Sequence, residues 1–236
     1  MMRALLLSLA VLMSTSAQSN NIPSTARSAQ AQARVQAALT AELEALGASW
    51  GAPLYLRIFK ASDELEVWVE AGARYQRLRT WPICTWSGGL GPKLRQGDGQ
   101  APEGFYEVAA PQLNPSSRFH LSFNLGYPNA FDRAHGRTGD YLMVHGNCVS
   151  IGCYAMGDAA IEEIYTLVAA ALAQGQRAVP VHAFPFRMDG DWEAQHAGSE
   201  WLPFWRQLAA AYQAFARTGQ PPRVRVVEGE YRLREG

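Results

Sequence analysis

A chain of 236 residues, 48% of them hydrophobic, can bury a substantial core; this excludes a disordered tail and suits one domain with appendages. Lysine plus arginine total 21 and aspartate plus glutamate total 21, for a formal net charge of +0. That balance gives no support to nucleic-acid binding or to a basic membrane-surface helix.

The first 17 residues read as an export signal. Arg3 supplies the positive end, residues 4–13 form an apolar run, and Thr15-Ser16-Ala17 offers small residues for cleavage. The run is shorter than the roughly 20 apolar residues a bilayer span needs. A secreted or periplasmic protein is expected, with no transmembrane segment in the mature chain. Residues 18–53 read as a polar lead-in followed by a helix over 29–46, in which Val35, Leu39, Leu43 and Leu46 share a face. Residues 54–60 and 65–70 alternate as half-buried strands, and 75–85 as a third strand whose Pro82 suits a sheet edge. Residues 88–104 carry six glycines and two prolines, too many for a regular element. No phosphate-loop pattern accompanies them, so a substrate-facing loop is the reading. Strands resume at 105–108, 119–125 and 141–145, and a helix capped by Asp158 runs through Ile161, Ile164, Tyr165, Val168 and Leu172. His182 opens another strand. Residues 189–236 form a C-terminal extension, with a helix over 200–217 and a hairpin from 223–227 and 231–233. The aromatic stripe Trp201, Phe204, Trp205, Leu208 and Tyr212 reads as core or a domain-docking surface rather than a sugar platform. The fold class is therefore a β-rich α+β protein.

One stretch gathers chemistry. Residues 141–156 read YLMVHGNCVSIGCYAM, a strand ending at His145-Gly146, a loop of small residues, and Cys153 behind Gly152. A thiol, an imidazole and unencumbered backbone amides between a strand and a helix are the parts of acyl transfer through a thioester. His145 can take the thiol proton, the amides of Cys153 with Gly152 or Tyr154 can hold an oxyanion, and Gly146 and Ser150 shape the loop. Taken alone, Cys153 reads as well as a small buried hydrophobe. A zinc site of His145, Cys148 and Cys153 lacks a fourth ligand at a recognised spacing, so no metal or other cofactor is expected. With three cysteines, Cys84 and Cys148 either pair or remain two buried free thiols; a Cys148–Cys153 bridge would silence the nucleophile. His120, His135 and His182 read as structural. Lys93, Arg133, Arg137 and Arg187 are candidates for a substrate carboxylate, each a weak one.

The stretch resembles the signature of the YkuD-type L,D-transpeptidases, a histidine-glycine pair followed by serine-x-glycine-cysteine. The words WPICTWSGGLGPK (81–93), GDGQAPEGFY (97–106), LNPSSRFHLSFNLGYPNAFD (113–132) and VHAFPFRM (181–188) resemble its YafK-like branch of murein L,D-transpeptidases. The resemblance spans 54–188 and implies a mostly β catalytic domain, a sandwich or sheet with packed helices. It implies Cys153 as nucleophile, His145 as base, Gly152 in the oxyanion loop, and peptidoglycan stem peptides as substrates, attacked at meso-diaminopimelate. Two places depart: Ile151 and Ala155 stand where relatives carry a histidine and an arginine. Transpeptidation is the leading expectation. A hydrolase that frees an outer-membrane lipoprotein from peptidoglycan is the alternative, and a silent peptidoglycan-binding domain the third.

Overall fold

The computed structural model describes residues 21–234; the expected export segment, residues 1–17, lies outside the described residues. Thr25 opens the first helix, α1 (Ala26–Ala45). Its hydroxyl accepts from the Ser28 amide at 3.3 Å while Ser28 Oγ accepts from the Thr25 amide at 2.9 Å. This reciprocal cap satisfies two amides that the helix leaves without partners. The strands β1 (Leu54–Phe59), β2 (Glu64–Ala71) and β3 (Arg74–Pro82) follow. After the glycine-rich loop come β4 (Gly104–Val108), β5 (Leu113–Asn114), β6 (Ser122–Asn124) and the short helix α2 (Ala130–Ala134). Next are β7 (Met143–His145), β8 (Tyr154–Ala155), α3 (Asp158–Ala173) and β9 (Val179–Phe184). The helices α4 (Trp192–Gln195) and α5 (Leu202–Thr218) lead into a hairpin of β10 (Val224–Val227) and β11 (Glu230–Leu233).

The larger sheet has the order β3-β2-β1-β9-β4, antiparallel except where β1 runs parallel to β9; the second has the order β5-β6-β7-β8, with β7 and β8 parallel. Pro82 ends an edge strand, as its missing N–H requires. At the other edge, β4 is sealed by side chains: Asn129 Nδ2 donates to the Phe105 carbonyl at 2.8 Å and Gln112 Nε2 to that of Glu107 at 2.9 Å. Such groups would otherwise invite a foreign strand.

The strand β1 differs from the half-buried element that its pattern predicts. Leu54, Leu56 and Ile58 face the core shared with α1 and α3, but Tyr55 and Phe59 on the opposite face are buried too. The reason is α5, which lies on that face and puts Phe215 4.9 Å from the Tyr55 ring and Tyr212 6.2 Å from Phe59. The aromatic stripe of the extension is thus core, as expected, and a second cluster around Phe59, Phe184, Trp205 and Tyr212 forms there. Arg57, also on that face, survives burial by binding Glu66 at 3.0 Å. Gly219, at φ 66°, closes α5 in the left-handed conformation that glycine adopts without strain.

Two local expectations are corrected. The predicted strand 141–145 shortens to β7, because Tyr141 takes a φ of 52° and stands 69% exposed. Asp158 does not cap α3: Gly157 is the N-cap, and Asp158 Oδ1 instead accepts from the Asn147 amide at 2.7 Å. The three histidines read as structural have structural partners: His120 Nε2 with Glu162 at 2.7 Å, His135 Nδ1 with the Phe131 carbonyl at 3.0 Å, and His182 Nδ1 with Tyr55 at 2.8 Å.

Candidate active site

The site is set by the register of two short parallel strands. Val144 lies opposite Tyr154 and His145 opposite Ala155. Residues opposite in register point to one face and the period is two, so Cys153, one position before β8, shares the face of His145. Strand spacings place their Cα atoms about 8 Å apart, within reach of a side chain from each. Both line one pocket of about 480 Å³, with Lys93, Arg118, Phe119 and Asp140 among its other walls.

The loop between them is over-determined. The Met156 amide donates to the His145 carbonyl and the Gly157 amide to the Asn147 carbonyl, each at 2.8 Å, closing its two ends. Cys148 is disulfide-bonded to Cys84, so the loop is also tied covalently to the chain just past β3, and Cys153 remains free. The open question of pairing is answered, and the bridge that would silence the thiol is absent. The bridge spans a sequence separation of 64. Removing it as Cys84→Ser/Cys148→Ser should lower the unfolding free energy by about 2–4 kcal/mol, read from urea titrations against the oxidised parent.

Ser150 buttresses the turn: its Oγ donates to the Cys153 carbonyl at 2.7 Å and accepts from the Gly152 amide at 3.1 Å. The Gly152 amide is thereby engaged, so what Gly152 contributes is space. At its φ of 137°, a Cβ would stand 3.1 Å from Leu142 Cδ1 and 3.3 Å from the Gln100 carbonyl oxygen. Gly146 is needed for packing, since a Cβ there would come within 2.7 Å of Asp158 Oδ1 and 2.8 Å of the Phe119 carbonyl oxygen. Tyr154 is buried, with its hydroxyl donating to the Pro102 carbonyl at 2.6 Å; its backbone is the part that borders the thiol.

Electrostatics keep both reactive groups neutral at rest. His145 is 2% exposed, stacked at 4.7 Å on Phe119. Burial lowers its pKa from the ordinary imidazole value, against the contact of Nδ1 with the Gly146 carbonyl at 2.5 Å. That contact fixes the proton on Nδ1 and leaves Nε2 as the acceptor. Burial pushes the Cys153 thiol up, and the Met143 amide and the Lys93 charge draw it partly back. A neutral thiol should alkylate slowly: with iodoacetamide, the rate at Cys153 is expected to rise about tenfold per pH unit through pH 8 and to level off only above pH 9.

Of the four candidate cations, only Lys93 lines this pocket, and its Nζ binds Asp98 Oδ1 at 2.5 Å and the Arg95 carbonyl at 3.0 Å. Burial would raise the Asp98 carboxyl, but the Arg95, Leu94 and Gln100 amides and Lys93 hold it down at about 2. The glycine-rich loop does face the pocket, through Lys93, Gln96 and Gly97. The other three are corrections. Arg137 is buried on Asp132 at 2.8 Å, Arg187 is spent on Glu64 and Glu66 at 2.7 and 2.8 Å, and Arg133 lies in a different cleft. Charge alone singles these three out, and neighbouring carboxylates or topology keep them from the pocket. Two further charged residues, Arg118 and Asp140, stand exposed in the pocket walls, neither in an ion pair among the described residues. Arg118 lies inside the SSRFHLSF word, where alternation alone hides which side chains face a site.

The family model YkuD, L,D-transpeptidase catalytic domain, matches residues 55–192. The chain is 50% identical over 181 residues to "Putative L,D-transpeptidase YafK" of Escherichia coli K12, covering 77% of this chain and 74% of that protein; the same values hold for the strain O157:H7 protein. Among solved structures, the helical cell shape determining protein Pgp2 of Campylobacter jejuni aligns at TM-score 0.46 and 16% identity, covering 80% of each chain. Bdellovibrio bacteriovorus Bd1075 aligns at TM-score 0.42 and 22% identity, covering 70% of this chain and 62% of that one.

Proposed function

The chain belongs to the YkuD family of L,D-transpeptidase catalytic domains, and on that premise we propose that it is an exported cysteine acyltransferase acting on peptidoglycan stem peptides. Its catalytic unit would span residues 54–188, with 189–236 bracing one face of the sheet. The observation that carries this reading is the shared face of Cys153 and His145 in one pocket. On attack, the Cys153 sulfur forms a bond to the carbonyl carbon at meso-diaminopimelate while its proton passes to His145 Nε2. The oxyanion meets the amide of Cys153, since that of Gly152 serves Ser150 and that of Tyr154 is held in the β7–β8 ladder. Collapse expels the amine, which takes the proton from His145, and leaves a thioester. An incoming amine then restores an amide bond, or water releases an acid.

A lowered imidazole and a raised thiol predict a broad profile. kcat/KM should fall only below about pH 6.5, where His145 gains a proton and ceases to be a base, and hold to about pH 9. The deciding experiment is digestion of muropeptides that carry a lipoprotein's terminal residues, analysed by mass. New stem-to-stem or amine-exchanged products support transfer. Release of free peptide without them reassigns the same residues to hydrolysis, and no product at all sinks the enzymatic reading.

A further inference from the structure

A second cleft, of about 1040 Å³, opens between the β4 edge of the larger sheet and the C-terminal hairpin. Five arginines line it: Arg133, Arg177, Arg223, Arg225 and Arg234. None of them is in an ion pair among the described residues, although Glu70 and Glu107 line the same cleft; Arg27, Arg74, Arg95, Arg118 and Arg217 also lack an ion pair, so it is the gathering of five in one cleft that sets these apart. The hairpin adds an independent sign. Arg225 stands directly opposite Arg232, and the Arg234 amide donates to the Arg223 carbonyl at 2.8 Å, which sets those two side by side one step beyond the Val224–Leu233 pair, on the same face as Arg225 and Arg232. Val224, Val226 and Tyr231 turn inward, so the four arginines share the hairpin's other face, on which Arg223, Arg225 and Arg234 border the cleft and Arg232 lies outside its lining. Like charges directly opposite on a ladder are destabilising. Only Arg232 has a carboxylate, that of Glu230.

A repulsion built twice into one small hairpin makes sense when an anion spans it. Strand geometry sets these charges about 5 Å apart across the ladder and about 7 Å apart along it. That spacing suits a chain with repeated anionic groups better than one small ion, and guanidinium forks pair well with carboxylates and phosphates. We infer that the arginine cleft is a binding site for an anionic polymer, and specifically for the carboxylates of the peptidoglycan mesh, held apart from the reacting carbonyl. The choice of polymer rests on the proposed function. Phosphate-bearing membrane surfaces share the ligand chemistry and are the source the test must separate.

The test uses the full mature chain carrying Cys153→Ala, so that nothing turns over, sedimented with insoluble peptidoglycan. Arg223→Gln/Arg225→Gln/Arg234→Gln should weaken binding at least tenfold, and so should Arg177→Glu, a change on another wall. Raising salt from 50 to 500 mM should release the parent but leave the weak residual binding of the variants little changed. Amidating the peptidoglycan carboxylates with carbodiimide should abolish the difference between parent and variants. In a Cys153 background, the triple variant should form acyl-enzyme with a small soluble donor at the parent rate, which also reports that it is folded. A failure of acylation in the parent therefore strikes the catalytic reading and leaves the cleft standing. Equal sedimentation of parent and both variants, indifference to amidation, or stronger capture by phosphatidylglycerol vesicles than by peptidoglycan would overturn the inference.

Discussion

Cys153→Ala is expected to form no acyl-enzyme and to release no product from muropeptides, a loss of at least about 10⁴-fold, because the covalent route itself disappears. Its stability should stay within about 1 kcal/mol of the parent. The side chain is only half-buried, its thiol contact to the Tyr141 carbonyl is long at 3.7 Å, and the disulfide holds the loop without it. His145→Ala should behave differently. It removes a positioned base, typically worth about 10²–10⁴ in rate, so a trace of acylation should survive and climb with pH as the thiol ionises unaided. Intact-mass measurement of the acyl-enzyme across pH 6–10 separates the two variants. If the alanine at 145 instead left the rate and its pH dependence unaltered, the imidazole would have no part in the chemistry.

Much of the candidate site's layout is legible in the residues because it lies in one continuous stretch. The strand, the His-Gly turn and the Gly-Cys pair are adjacent in sequence, and local constraint places them. What could not be read depends on contacts between distant segments. β1 looks half-buried until α5, more than 140 residues later, covers its second face. Arg187 looks like a free cation until the fold sets it against Glu64 and Glu66 of β2, two strands from β9 in the sheet. Asp158 looks like a helix cap until the Asn147 amide claims its carboxylate. In each case a side chain with a sound local assignment found a stronger partner across the fold, and Arg118 escaped notice for the same reason in reverse.

The second large effect lies away from the thiol. Lys60 is fully buried, with Nζ donating to the Gly91 carbonyl at 2.9 Å and to the Ala101 carbonyl and Glu103 Oε1 at 3.0 Å. Glu103, equally buried, also accepts from the Gly91 amide at 2.7 Å and from Trp205 Nε1 of α5 at 2.9 Å. This pair therefore joins the glycine-rich loop, whose middle lines the active pocket, to the C-terminal helix. Glu103→Ala leaves a buried ammonium without its counter-charge and the Gly91 and Trp205 N–H groups without an acceptor, and should cost about 3–5 kcal/mol, a large share of a typical domain's stability. The pH dependence has a definite sign. Burial already lowers the Lys60 pKa and Glu103 raises it back, so removing Glu103 lowers it further. The unfolded chain then binds more protons than the folded one over a wider range below the ordinary lysine value, and variant stability must rise with pH more steeply than the parent's. Urea unfolding at pH 7 and pH 10 should show the gap narrowing at the higher value. Trp205→Phe, which removes one donor and strands no charge, should cost only about 1 kcal/mol. If Glu103→Ala proved as mild as that, with acylation by Cys153 unimpaired, the loop would be held by its own turns and the extension would serve the site in no way.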